Sequence, residues 1–168
     1  IPTSPRRRKT DAEIEAAARE LQRKLWLRRT ELWPKRPDLS PVLVLDPSKA
    51  SEILGYGFVV EDTLGLYQDG AKKVGVAGII DRESKVIKIS REFDPQVQTF
   101  TAAHELGHLV LHPEMAYMHR DRGVSGVAAG QRDGMEYEAD KFAAFFLMPG
   151  RLVQNAFRER FLTGEFVI

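Results

Sequence analysis

The chain has 168 residues, of which 43% are hydrophobic and 29% charged, proportions typical of a globular protein with a single core. It contains no cysteine, which excludes disulfides and thiolate zinc sites and is compatible with a reducing compartment. No apolar run approaches the roughly 18 residues that suggest a membrane span, and the basic start lacks the apolar segment of a secretory signal. We therefore expect a cytoplasmic protein that does not bind a membrane.

The charges are unevenly distributed along the chain. Residues 1–36 hold 11 Lys or Arg and 5 Asp or Glu, whereas the rest of the chain holds 14 and 19. A basic arm of this kind could contact nucleic acid or an acidic protein, but a solvated tail and helix face has the same charge pattern. We predict a basic tail and helix over residues 1–40 and a region carrying the functional motifs over residues 41–168, both within one compact unit.

The first third of the chain predicts two helices with a short strand between them. Thr10 followed by Glu13 matches a capping box, and "DAEIEAAARELQRKLWLRRTEL" continues as a helix with a partial apolar stripe. The three prolines of "WPKRPDLSP" end this helix. The apolar run "VLVLD" then predicts a strand, and "PSKASEILG" predicts a short helix that ends at Gly55.

The rest of the chain predicts a small sheet followed by two helices. "YGFVVED" predicts a strand, and "VGVAGIID" and "KVIKIS", joined by the turn "RES", predict a β-hairpin. Asp94 and Pro95 form a good N-cap and first position for a helix that ends before Pro113. A Gly-rich stretch from Arg120 to Gly134 is either a mobile gate or a plain long loop, and "MEYEADKFAAFFLMP" then predicts a last apolar helix. This order predicts an α+β fold.

The segment "TFTAAHELGHLVLHPEM" carries three histidines at intervals of four residues within one predicted helix. His104 and His108 are about one turn apart, so both imidazoles can face the same side, and Glu105 lies beside them. This is the H-E-x-x-H pattern, whose usual interpretation is two zinc ligands and a general base. The chemistry requires this arrangement because zinc increases the acidity of water and a neighbouring carboxylate can accept the proton.

A catalytic zinc needs a third protein ligand, and two candidates follow the motif. His112 lies eight residues beyond His104. That separation is about 12 Å along a straight helix, too far to share a metal at a bond length of about 2.1 Å. We interpret His112 as a helix-end residue, either packed or at the rim of a cleft. Glu136 in "EYEAD" is the better candidate, because it shares one helix face with Asp140.

The acids of this last helix are predicted to have different roles. Asp140 accepts a hydrogen bond from the far nitrogen of a liganding histidine, which fixes the tautomer of that ring. Glu138 points roughly 160° away from the middle of the same face and is not expected to reach the metal. A solvated face would be the ordinary interpretation of Glu136 and Asp140. Because the rest of the helix is so apolar that it must pack inside, we favour the metal.

The segments "TAAHELGHLVLH" and "EYEADKFAAFFLMP" together resemble the ImmA/IrrE family of bacterial metallopeptidases, zincins with a glutamate as third ligand, and "GIIDRESKVIKIS" resembles the hairpin before the active-site helix of that family. The resemblance covers about residues 55–150. It implies a minimal zincin-like fold, with helices around a small twisted sheet and the H-E-x-x-H helix at the centre. It implies that His104, His108 and Glu136 bind zinc and that Glu105 is the catalytic base. It also implies site-specific cleavage of a helix-turn-helix repressor, which derepresses stress-response or mobile-element genes.

Some aspects of function stay open from sequence. The oxyanion of peptide hydrolysis could be stabilised by Tyr117, His119 or His112. The substrate backbone could add to an exposed edge of the predicted hairpin, although core strands fit that hairpin equally well. The metal could be Zn²⁺ or Mn²⁺. The alternative function is a non-catalytic binding module, in which a structural metal stabilises the fold and residues 1–36 contact DNA or a repressor.

Overall fold

The computed structural model describes residues 7–69, 71–113, 118–122 and 134–161, which form six helices and five strands. The predicted α+β class is therefore confirmed. The helices are α1 (Asp11–Leu27), α2 (Arg29–Leu32), α3 (Pro47–Ile53), α4 (Pro95–Leu111), α5 (Gly134–Leu147) and α6 (Gly150–Phe161). The strands are β1 (Gly57–Glu61), β2 (Leu66–Asp69), β3 (Lys72–Asp81), β4 (Val86–Ser90) and β5 (Met118–Arg122). None of the helices in these ranges has both the length and the apolarity that crossing a membrane requires.

The sheet is built around β3, the longest strand. Its first half pairs antiparallel with β2, and its second half pairs antiparallel with both β4 and β5. On the far side of β4, β1 adds in parallel. The predicted hairpin of β3 and β4 is confirmed, and where its two strands pair they are core strands rather than an exposed edge. In the described part of the chain, β4 lies between β1 and β3, and β5 covers the second half of β3.

The core lies between the sheet and a layer formed by α1, α4 and α5, in which α5 contacts both α1 and α4 extensively. The predicted capping box at the start of α1 is confirmed, with Thr10 and Glu13 bonded reciprocally. Hydrogen bonds from Arg7 and from Thr10 lower the pKa of Glu13 to about 2. The buried apolar residues of these elements form one cluster, to which the three helices and β4 contribute Ile14, Ala18, Leu21, Leu25, Ile87, Ile89, Ala102, Ala103, Leu106, Phe142, Ala143 and Phe146.

The apolar run at residues 42–46 is not a strand, and this prediction is wrong. Residues 41–44 form turns, and the Leu43 N–H donates to the carbonyl oxygen of Ser40 at 3.0 Å. Val44 reaches the core, whereas Val42 and Leu43 are about half exposed, at 53% and 52%. Because such a short apolar run has no resolvable period, composition alone does not distinguish a strand from a turn that buries some of its side chains.

The chain also contains elements that its pattern did not predict. Helix α1 ends at Leu27, and the short α2 follows after Arg28, where one continuous helix was expected. Helix α6 follows α5 directly, so the helix at the E-x-x-A-D motif is not the last one. Pro149 lies between the two helices, where proline suits the start of α6, and the N–H groups of Leu152 and Val153 both donate to its carbonyl oxygen.

Candidate metal centre

Helix α4 places the H-E-x-x-H motif in the most protected part of the fold. Pro95 occupies the first turn, as predicted, and the helix ends at Leu111 with His112 as its C-cap. Every residue from Thr101 to His108 is buried, which includes both histidines of the motif and Glu105. Fully buried polar side chains require specific partners, since burial removes their contacts with water.

Three predicted ligands converge at one point between α4 and α5. The Nε2 atoms of His104 and His108 lie 2.9 Å apart, and each is 3.4 Å from a carboxylate oxygen of Glu136. One potential ligand atom from each residue falls within 4.8 Å of the others, a spacing that could hold a metal ion. Glu136 is 28% exposed, whereas the two histidines are almost fully buried.

The hydrogen bonds behind the two rings favour one arrangement of their protons. His104 Nδ1 is 2.9 Å from Asp140 Oδ1, so a neutral ring donates from Nδ1 and leaves a lone pair on Nε2. His112 Nε2 is 3.0 Å from Glu138 Oε2, so a neutral His112 beside an ionised Glu138 donates from Nε2, and its Nδ1 is then an acceptor. His108 Nδ1, 2.9 Å from His112 Nδ1, therefore carries the proton of its own ring.

These tautomers place two Nε2 lone pairs and a carboxylate around the same point. Such a donor set is electrostatically unfavourable by itself and is what a divalent cation requires, because imidazole binds metals as the neutral ring through a bare nitrogen. Two imidazoles and one carboxylate also match the ligands of catalytic zinc sites, in which three protein ligands leave one position open. The residues present therefore fit a zinc ion.

A glycine at position 107 allows α5 to approach α4 closely enough to bring Glu136 to the histidines. A Cβ atom at Gly107 would lie 3.0 Å from the Cα of Ala139 and 3.1 Å from its carbonyl oxygen. Both distances are shorter than ordinary van der Waals contact. The only glycine within the motif is thus the residue at which the two helix backbones touch.

Glu105 lies against β3 on the side of α4 that faces the sheet. Its Oε1 would be only 2.7 Å from a Cβ atom at Gly78, so the absence of a side chain at position 78 makes room for this carboxylate. The pairing of β3 with β5 is irregular between Val76 and Gly78. Bulges of this type are frequent next to active sites, where they redirect the neighbouring groups.

Comparison with known protein families identifies the family to which the chain belongs. A family model described as the IrrE N-terminal-like domain, peptidase M78, matches residues 65–165, which is more than half of the chain. The chain belongs to this family. The expected resemblance to ImmA/IrrE proteins is thereby confirmed, and membership supports a peptidase of the metal-dependent type, which acts on protein. No curated protein matches the sequence at a significant level.

The other predicted site residues lie in different parts of this M78 domain. Asp140 contacts His104 as described above, and His112 is fully buried at the end of α4, where it contacts His108. His119 lies in β5 opposite Ile80. Tyr117 and most of the Gly-rich stretch, residues 123–133, lie outside the described residues.

Sequence reasoning missed one residue of this peptidase M78 centre, Glu138. It was expected to point away from the metal-facing side, and it does leave that face, but it is completely buried and contacts His112. A signal was available in the sequence, because Glu138 is followed by an apolar helix segment and the third histidine comes one turn after His108. A buried acid and a buried histidine without assigned partners are each candidates to satisfy the other.

Proposed function

We propose that this protein is a zinc-dependent endopeptidase that cleaves a helix-turn-helix transcriptional repressor at a specific site and so derepresses stress-response or mobile-element genes. The observation that carries the proposal is the convergence of the Nε2 atoms of His104 and His108 on the Glu136 carboxylate, with a buried Glu105 next to His104 in the chain. The choice of substrate rests on the resemblance to ImmA/IrrE proteins.

In this proposal His104, His108 and Glu136 hold the metal. A zinc ion there supplies Lewis-acid polarisation of the scissile carbonyl and increases the acidity of water. Zinc is preferred to Mn²⁺ because two imidazole ligands suit zinc and the general order of divalent affinities places Mn²⁺ lowest. Asp140 keeps the His104 ring in its metal-binding tautomer through the 2.9 Å contact.

Glu105 is the proposed general base. Its carboxylate accepts a proton as water attacks the scissile carbonyl, and it delivers that proton to the amide nitrogen as the C–N bond breaks, so that the products are a carboxylate and an amine. Complete burial of Glu105 and its position against Gly78 hold the carboxylate in place and exclude competing solvent.

The sheet edge next to this carboxylate suits an extended substrate. In the described residues β5 has a single neighbour, β3, and it pairs with the stretch of β3 that includes Gly78. A peptide that adds to the edge of β5 opposite β3 would form backbone hydrogen bonds that do not depend on its sequence. In this mode of binding, the selection of substrate side chains depends on the residues around the edge.

Two assays test the proposal separately. Digestion of a proteome-derived peptide library by the zinc-loaded chain tests for endopeptidase activity without assuming a substrate. Incubation with purified helix-turn-helix repressors from the same organism, followed by electrophoresis, tests the repressor as substrate. We expect cleavage in both. An intact helix-turn-helix protein together with digested peptides would refute the substrate, and an undigested library would refute the enzyme.

Two variants assign the residues. Glu105→Gln keeps the shape of the side chain but cannot accept a proton, so it should bind zinc like the wild type and lose cleavage by about 10²- to 10⁴-fold. Glu136→Ala should lose zinc itself, as measured by elemental analysis. Full activity of Glu105→Gln, or one zinc per chain in Glu136→Ala, would show that the corresponding role is assigned to the wrong residue.

A further inference from the structure

The Nδ1 side of the His108 ring, which faces away from Glu136, is connected to the N-terminal segment by a series of buried hydrogen bonds. His108 Nδ1 is 2.9 Å from His112 Nδ1, and His112 Nε2 is 3.0 Å from Glu138 Oε2. The other oxygen of Glu138 accepts a hydrogen bond of 2.8 Å from the backbone N–H of Lys9. His108, His112 and Glu138 are all 0% exposed.

One set of donors and acceptors satisfies every bond in this series when Glu138 is ionised and both rings are neutral. A carboxylate only accepts, so Lys9 N–H and His112 Nε2–H both donate to Glu138. The second nitrogen of a neutral His112 then accepts, and His108 must donate to it from Nδ1. The result is a bare Nε2 on His108, which is the state that a metal ligand requires.

We call this series of hydrogen bonds, from His108 through His112 and Glu138 to Lys9, the relay. The main chain at both of its ends is also held in place. At the end of α4, the Arg82 guanidinium donates to the carbonyl oxygens of His108 and His112 at 3.0 and 2.9 Å. Before α1, the segment around Lys9 is attached to α5 because Lys141 donates to Asp11 at 3.1 Å. This hydrogen bond raises the pKa of Lys141.

We propose that His112 and Glu138 are positioning residues, which orient His108 and keep it in its metal-binding tautomer, and that the backbone N–H of Lys9 completes the relay. His104 has the same kind of support directly from Asp140, whereas His108 receives it through a second histidine. The proposal rests on the proposed metal site and extends it, because it makes the N-terminal segment part of the support of a ligand on α4.

The first test measures the zinc affinity of the full chain by competition with a chromogenic chelator, with circular dichroism to verify folding of the metal-free form. His112→Phe keeps a ring of similar size but cannot accept from His108, and it should weaken zinc binding by about 10- to 100-fold. His112→Gln, whose amide offers one acceptor and one donor, should recover part of this loss. Phe146→Leu, a core change on α5 outside the relay, should lower the melting temperature without changing zinc affinity.

A second pair of variants tests the N-terminal end of the relay. Lys9→Pro removes the backbone N–H that donates to Glu138, whereas Lys9→Ala keeps it, so only the proline variant should bind zinc more weakly. Equal affinities of this pair would refute the role of Lys9. Glu138→Gln keeps the shape but removes the charge, and an affinity equal to that of the wild type would refute the role of Glu138.

A spectroscopic test needs no variant. Long-range ¹H–¹⁵N spectra of the histidine rings should show His104 and His108 protonated at Nδ1 and His112 protonated at Nε2. His112 protonated at Nδ1, or zinc affinity unchanged in a folded His112→Phe, would overturn the relay while leaving the metal site intact. A wild-type chain that binds no zinc would instead overturn the proposed function, and the relay with it.

Discussion

Gly107 is the residue whose replacement tests most directly whether close packing of α4 and α5 builds the metal centre. In Gly107→Ala the new Cβ would meet the Cα and carbonyl oxygen of Ala139 at 3.0 and 3.1 Å. Carbon atoms pack best at about 3.5–4.0 Å. Because the contacts are with backbone, no rotation of a side chain relieves them, and the helices must separate by roughly half an ångström.

Two opposing contributions decide the effect on stability. Alanine is favoured over glycine inside a helix by about 1 kcal/mol, whereas overpacking a core contact costs about 1–3 kcal/mol. The metal-free Gly107→Ala chain should therefore lose up to about 2 kcal/mol of unfolding free energy. Zinc affinity should fall at least about tenfold, since ligand sets tolerate displacements of only about 0.5 Å and Glu136 moves with α5.

Urea denaturation of the metal-free chain and chelator competition for zinc measure the two effects. The matched control is Gly150→Ala, because a Cβ at Gly150 meets nothing within 4 Å and should leave zinc affinity unchanged. If Gly107→Ala were stabilised by the full helix-propensity gain and bound zinc like the wild type, the contact at Ala139 would not be what sets the distance between the helices.

Two further substitutions test other parts of the structure. Gly78→Ala places a Cβ 2.7 Å from Glu105 Oε1 and should reduce peptide cleavage by about 10²-fold, as expected for a misplaced catalytic group, with zinc still bound. Gly75→Ala on the same strand meets only a side chain at 3.4 Å, and equal cleavage by the two variants would contradict the argument. Thr10→Ala removes the capping box and should lower the unfolding free energy by about 1 kcal/mol in urea denaturation, whereas Thr30→Ala, within α2, should not.

Local patterns in the sequence predict a large part of this fold. The Thr10 capping box, the Pro95 start of α4 and the β3–β4 hairpin each depend on residues that are close in the chain, and each is present. The grouping of His104, His108 and Glu136 was also predictable, because one-turn spacing on each of two helices leaves few other ways to assemble three donors.

What the sequence did not predict depends on contacts between distant segments. Strands β2 and β5 are short and carry no strong alternation, and they exist because β3 offers them a pairing edge. The partner of Glu138 depends in the same way on how α5 crosses α4. Periodicity correctly separates Glu138 from the face of Glu136 and Asp140, but it contains no information on what lies on the other side.

The three acids of α5 show that the interface between α4 and α5 both packs the two helices and orients the metal ligands. Glu136 faces the Nε2 atoms, Asp140 faces the outer nitrogen of His104, and Glu138 reaches His112 one turn beyond His108. The histidines form an i, i+4 row on α4, and such rows are inclined to the helix axis. The row therefore runs obliquely across α5. For this reason it meets acids from more than one face of α5. Any change that moves α5 therefore disturbs a metal ligand and an outer partner together. Zinc, by binding this arrangement of the folded chain, should in turn stabilise the packing of the two helices.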